Sequence, residues 1–102
     1  MRIIKASRVR EFAARFPGGA SSLLRWLEAA QAARWRNLVD VRKVFRGADE
    51  VKVASGRAVV VFNIAGNHYR LVTAIHYNAQ RLFVLMFLTH AEYGKNRWKD
   101  VL

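Results

Sequence analysis

Apolar positions recur at helical spacing through the first half of the chain and at strand spacing through the second. Val9, Phe12, Ala13 and Phe16 form one stripe of a short helix, with Ser7 as its expected N-cap. The run Pro17-Gly18-Gly19 is expected to stop that helix, and Ser21 or Ser22 to cap the next. In the second helix Leu23, Leu27 and Ala30 line one face, widened by Leu24 and Trp26, while Arg25, Arg34 and Arg36 are free to reach solvent. Two helices across a Gly-rich turn read as an αα-hairpin. Asp40 is the expected cap of one further helical turn carrying Val41, Val44 and Phe45, closed by Gly47.

From Val51 the period changes. The segments "VKVA", "RAVVVFNI" and "YRLVTAIHY" are β-branched and bounded by turn residues at Ser55-Gly56, Gly66-Asn67 and Asn78 to Gln80. In the third, Tyr69, Leu71, Thr73, Ile75 and Tyr77 share one face, and Arg70, Val72, Ala74 and His76 the other. The final strand, "RLFVLMFLT", is almost wholly apolar, which predicts burial on both faces and a central place in the sheet. At the N-terminus "RIIK" reads as an edge strand. The elements predict a single α+β domain over 1–102, a small antiparallel sheet packed on an N-terminal helical hairpin.

Charge narrows the class of partner. Eighteen Lys and Arg against seven Asp and Glu give a formal charge of +11, more than solubility requires. Such an excess favours a polyanion, with nucleic acid first, an acidic protein second and an anionic membrane third. The chain has no cysteine, which excludes disulfides and thiolate metal sites and fits a reducing compartment. "MRIIKASR" has no signal-peptide core, and the apolar run Leu82 to Leu88 is too short to span a bilayer, so a cytoplasmic location without membrane contact is expected. The three histidines and seven carboxylates show no metal-ligand spacing, and no phosphate-binding glycine motif leads into a helix. Neither a metal nor a cofactor is expected.

Candidate chemistry lies where the last strand meets the basic tail, in "FLTHAEYGKNRW". Thr89 and Glu92 have capping-box spacing, a structural use that accounts for Glu92. His90 and Tyr93, three residues apart, share a side of that helical turn. A His at a strand end is more often a surface residue than a catalyst, but the spacing leaves Tyr93 and the basic tail unexplained. Arg70 stands on a strand expected mid-sheet. Two uses fit it: a structural salt bridge, for instance to Glu92, or a forked grip on phosphate. Asn67 fits ordinary turn chemistry. Together, His, Tyr and Arg supply what RNA cleavage by the 2′-hydroxyl requires: a base, an acid and cationic charge for the phosphorane. Tyr serves as the base only if neighbouring cations depress its pKa. Tyr93 and Trp98 are also candidates to stack on unpaired bases.

The stretches "FNIAGNHYRL" and "THAEY", in order and within Val59 to Lys95, resemble the HigB-type toxins of bacterial toxin–antitoxin modules, in the RelE-like group of ribosome-dependent mRNA endonucleases. "RIIK", the helical hairpin and the run from Trp35 through "VRKVFRGAD" fit the layout more loosely. The resemblance implies a RelE-like twisted sheet backed by helices and cleavage of mRNA on the ribosome. It also implies inhibition by a helix-turn-helix antitoxin. On it, Arg70 holds the scissile phosphate, and His90 and Tyr93 share proton transfer and orientation. Asn63 and Asn67 match motif amides. Lys52, Arg57, Lys95 and Arg97 match in basic character and are expected on phosphate. One departure stands out: Gly94 occupies the place after the Tyr where the family commonly has an acidic residue. The competing reading is a non-catalytic basic RNA- or DNA-binding module. The nuclease reading requires Arg70, His90 and Tyr93 to gather in one shallow electropositive pocket wide enough for a nucleotide.

Overall fold

The computed structural model describes residues 1–102. In chain order the elements are β1 Arg2–Ile4, α1 Ala6–Arg15, α2 Pro17–Ala32, α3 Leu38–Val44, β2 Asp49–Lys52, β3 Ala58–Ile64, β4 Tyr69–His76, β5 Arg81–Thr89, α4 His90–Gly94 and α5 Trp98–Val101. Five strands form one sheet in the order β1-β5-β4-β3-β2. The meander β2 to β5 is antiparallel as expected, but β1 pairs with β5 in parallel, so the sheet is mixed. The α+β architecture, helices against a small sheet, is the expected one.

Local chemistry departs from expectation at the helix ends. Pro17 opens α2 instead of closing α1, because its missing N–H lies where a helix has no acceptor for one. Ser7 and Ser21 fall inside helices and cap neither. Ser22 is also inside α2, and its Oγ accepts from the Ala65 N–H at 2.9 Å, in the β3–β4 turn where Ala65 has φ +53°. Asn37, not Asp40, caps α3: its Oδ1 accepts from the Asp40 N–H at 3.1 Å. The Asp40 carboxylate turns back to Arg36, 2.9 Å away.

The strands buried on both faces are β3 and β4, not β5. With neighbours on either side, β4 has helices over one face and the chain's C-terminal segment against the other. In β5 the pairing slips where Val72 faces Met86 but Thr73 faces Val84, so Leu85 is an extra residue. The bulge makes the core-facing positions Leu82, Val84 and Phe87, and leaves Phe83, Leu85, Met86 and Leu88 half-exposed on the other face. Since β1 ends opposite Phe83, the next carbonyls of β5 have no partner strand there. The Arg8 guanidinium of α1 meets that need, donating to the carbonyls of Val84 at 3.1 Å and Leu85 at 3.2 Å.

Two apolar clusters flank the sheet. The larger lies under the helices and joins Val9, Leu23, Trp26 and Trp35 to Phe62, Leu71 and Leu82. Gly19 lets α2 lie close: a Cβ there would sit 3.0 Å from the Tyr69 ring, itself stacked on Phe87. The smaller cluster, Val53, Val59, Val61, Val72 and Trp98, lies on the opposite face. No helix is long and apolar enough to cross a membrane.

Candidate active site

On the face away from the large core, β3 and β4 align Asn63 directly opposite Arg70, and β4 and β5 align Arg70 with Leu88. Two residues past Leu88 the strand turns into α4. The capping box closes as the sequence predicted: the Glu92 N–H donates to Thr89 Oγ1 at 3.2 Å and the Thr89 N–H to Glu92 Oε1 at 3.0 Å. A backbone bond from the His90 N–H to the His68 carbonyl, 2.9 Å, ties this helix to the β3–β4 turn. His90 thus opens α4 and Tyr93 follows on the same side.

These elements bring three of the predicted groups together. Arg70 Nη2 lies 3.4 Å from His90 Nδ1, and its Cζ stands over the Tyr93 ring, 5.4 Å from the centroid. Arg70 Nη1 donates to the carbonyls of Asn67 and Tyr69, both at 3.1 Å. The residue is only 9% exposed. It has no carboxylate partner, for the ion pairs of the chain are Arg36–Asp40, Lys43–Asp40 and Arg42–Asp49. The expected alternative, an Arg70–Glu92 salt bridge, is absent because the Glu92 carboxylate is engaged in the capping box. A largely buried guanidinium whose charge no acid offsets is costly, and an anion beside it removes the penalty.

His90 is exposed and Tyr93 half-buried. The Tyr93 phenol is pushed above its ordinary pKa, first by burial and then by the carboxylate of Asp49, with Arg70 opposing. The condition for Tyr93 as the base is therefore not met: burial and Asp49 outweigh Arg70, and the phenol keeps its proton. The expectation for Trp98 is corrected. It is 5% exposed, stacked on Tyr93 at 5.2 Å and 20°, so its ring is not free for a base. The expected gathering of the three is met, but the expected nucleotide-wide pocket is not: none of the surface depressions is lined by Arg70, His90 or Tyr93, the Tyr93 ring standing against the guanidinium and only the His90 side lying open.

The remaining candidates scatter. Asn67 meets Arg70 through its backbone carbonyl. Asn63 leans toward Gly47, where a Cβ would drive into its amide. Lys95 and Arg97 border a depression of about 250 Å³ with Leu88, Glu92 and Trp98, beside the cluster. Arg57 lies at the other end of the same face, against His76 and Phe83, six residues from Arg70 along β4 or about 20 Å at the usual strand rise. Lys52 pairs with Ala58, and that register turns it to the helix side of the sheet, away from Arg70. Asp49 was missed: nothing in "GADEV" marks it, and only the β2–β3 register carries it to the Arg70 side, where it pairs with Arg42 at 3.4 Å.

No curated relative matches the chain. Residues 20–96 match the model of the HigB toxin family, described as the RelE-like toxic component of a toxin–antitoxin system. That span contains β2 to β5, α4 and all three clustered residues. The chain belongs to the HigB toxin family, the RelE-like toxic components of toxin–antitoxin systems.

Proposed function

We propose that the protein is a ribosome-dependent mRNA endoribonuclease that arrests translation, acting in the cytoplasm and held in check by a helix-turn-helix antitoxin. Family membership carries the toxin role and the existence of an antitoxin partner. The observation that supports cleavage is the buried, carboxylate-free guanidinium of Arg70 between an imidazole and a phenol. An anion completes this arrangement, and a +11 chain meets anions readily on an RNA-rich particle.

In the proposed reaction the ribose 2′-oxygen attacks the adjacent phosphorus and the bond to the 5′-oxygen breaks, leaving a 2′,3′-cyclic phosphate and a 5′-hydroxyl. The nucleophile belongs to the substrate, so positioned acids, bases and charge suffice. Arg70 Nη2, whose one hydrogen-bond partner is His90 Nδ1 at the long distance of 3.4 Å, turns to a phosphate oxygen on the exposed His90 side and offsets the phosphorane charge. His90 Nδ1, already an acceptor toward Arg70, takes the 2′ proton. Tyr93, with its pKa raised, stays protonated and serves as donor to the leaving oxygen. The imidazolium then returns the proton to the phenolate or to solvent. Lys95 and Arg97 hold flanking phosphates at the adjacent depression.

Induced expression followed by mapping of mRNA 5′ ends tests the proposal. New ends should accumulate while translation runs and vanish when initiation is blocked, and His90→Ala or Tyr93→Phe should abolish them in folded protein. Salt-sensitive RNA binding without cut ends would establish the non-catalytic module instead.

A further inference from the structure

The family match ends at residue 96, yet the chain continues into α5 and returns to the site. We propose that Trp98 is a positioning residue for Tyr93 and that the C-terminal segment from Arg97 to Leu102 is a working part of the site, a role that rests on the nuclease reading above.

The need for a buttress comes from α4. A helix of five residues has too few internal bonds to fix a side chain in one place. The Tyr93 ring is nevertheless flanked by two partners, the Arg70 guanidinium 5.4 Å from its centroid and the nearly parallel Trp98 indole at 5.2 Å. Trp98 Nε1 donates to the Tyr93 carbonyl at 3.1 Å, so one residue holds both backbone and ring. Trp98 is itself anchored. It is 5% exposed and packs with Val59, Val61 and Val72 of the central strands. The segment is pinned by a backbone bond from the Ala54 N–H to the Lys99 carbonyl, 3.0 Å, and its turn is made by Asn96 with φ +62°. Rigidity thus passes from the sheet through the indole to the phenol. Positioning of this kind matters because small displacements of reacting groups forfeit large rate factors.

The test uses the full chain labelled with [13Cζ]tyrosine, comparing the parent with Trp98→Leu, which keeps apolar filling but loses the flat face, and Trp98→Phe, which keeps the stack. Folding is verified by circular dichroism for each. In Trp98→Leu the Tyr93 resonance should titrate at lower pH than in the parent, because the phenol gains solvent while Asp49 and Arg70 stay in place. Single-turnover cleavage of ribosome-bound mRNA, at saturating ribosome concentration, should fall roughly tenfold to a hundredfold. Trp98→Phe should restore both. An unchanged Tyr93 titration in folded Trp98→Leu overturns the proposal, as does unchanged cleavage. A shifted titration with no cleavage by any variant, the parent included, supports the buttress and overturns the nuclease reading alone.

Discussion

Replacing Arg70 by Ala separates a structural role from a catalytic one. The substitution strips the donor from the carbonyls of Asn67 and Tyr69 and removes the cation over the Tyr93 ring. Leaving buried acceptors without donors costs about 1–3 kcal/mol, and losing a half-buried cation–π contact adds roughly 1 kcal/mol. Water entering the vacated space and relief of an unpaired buried charge offset part of this, so a net loss of about 2 kcal/mol is expected. In a domain of this length that lowers Tm by roughly 10 °C. With a typical stability of about 5–15 kcal/mol the variant remains folded at 25 °C. A guanidinium that stabilises transition-state charge contributes about 2–4 kcal/mol to the barrier, or about 30-fold to 1000-fold in rate. Single-turnover cleavage of ribosome-bound mRNA, corrected for the folded fraction, should show that loss. Arg70→Lys keeps charge without the fork and should fall between. Parent-like cleavage by folded Arg70→Ala, or a loss that tracks only the unfolded fraction, would refute the argument.

Other consequences are simpler to measure. Gly94 sits in α4 with open space where a Cβ would stand, so Gly94→Ala should raise stability by about 0.5–1 kcal/mol in thermal or urea unfolding. Ser22→Ala removes the acceptor for the Ala65 N–H and should cost about 1 kcal/mol. Tyr93 ionises at higher pH in the fold than the ordinary value of 10.0, so its contribution to stability is complete below that pH. As pH rises beyond 10 the unfolded chain loses the proton first and stability declines. Tyr93→Phe should flatten that alkaline decline in Tm, leaving the share due to Tyr77, also raised by burial. Charge reversal should follow the sheet faces: Lys95→Glu or Arg97→Glu should weaken ribosome binding and its salt dependence, whereas Lys52→Glu should do so far less.

The parts of this molecule that were legible in its sequence are those set by neighbours along the chain. Helical and strand periods, the Thr89–Glu92 capping box and the shared side of His90 and Tyr93 all depend on short spacings. The parts that were not legible depend on distant partners. The parallel pairing of β1 with β5 joins residues far apart in the chain, and no local signal encodes it. The apolar run of β5 suggested a strand covered on both faces, but the bulge at Leu85 and the reach of α5 decide which strands are so covered, and those are β3 and β4. Pro17 was expected to stop α1, yet it opens α2, an outcome that depends on α2 packing its glycines against Tyr69. At the site, Arg70, His90 and Tyr93 were named from residue type and motif. Their gathering was expected, but its closed form was not, because it is Trp98, folding back from the tail, that stacks on Tyr93 beside Arg70. Asp49 reaches that side through strand register alone.

The central claim is that Arg70, His90 and Tyr93 act as one unit on RNA. Single-turnover cleavage of ribosome-bound mRNA by His90→Ala, Tyr93→Phe and the double variant, each verified as folded, tests it most directly. Groups that act together are strongly non-additive, so the double variant should be about as slow as the worse single one. Rate losses that simply multiply, or variants that cut as fast as the parent, would contradict the claim.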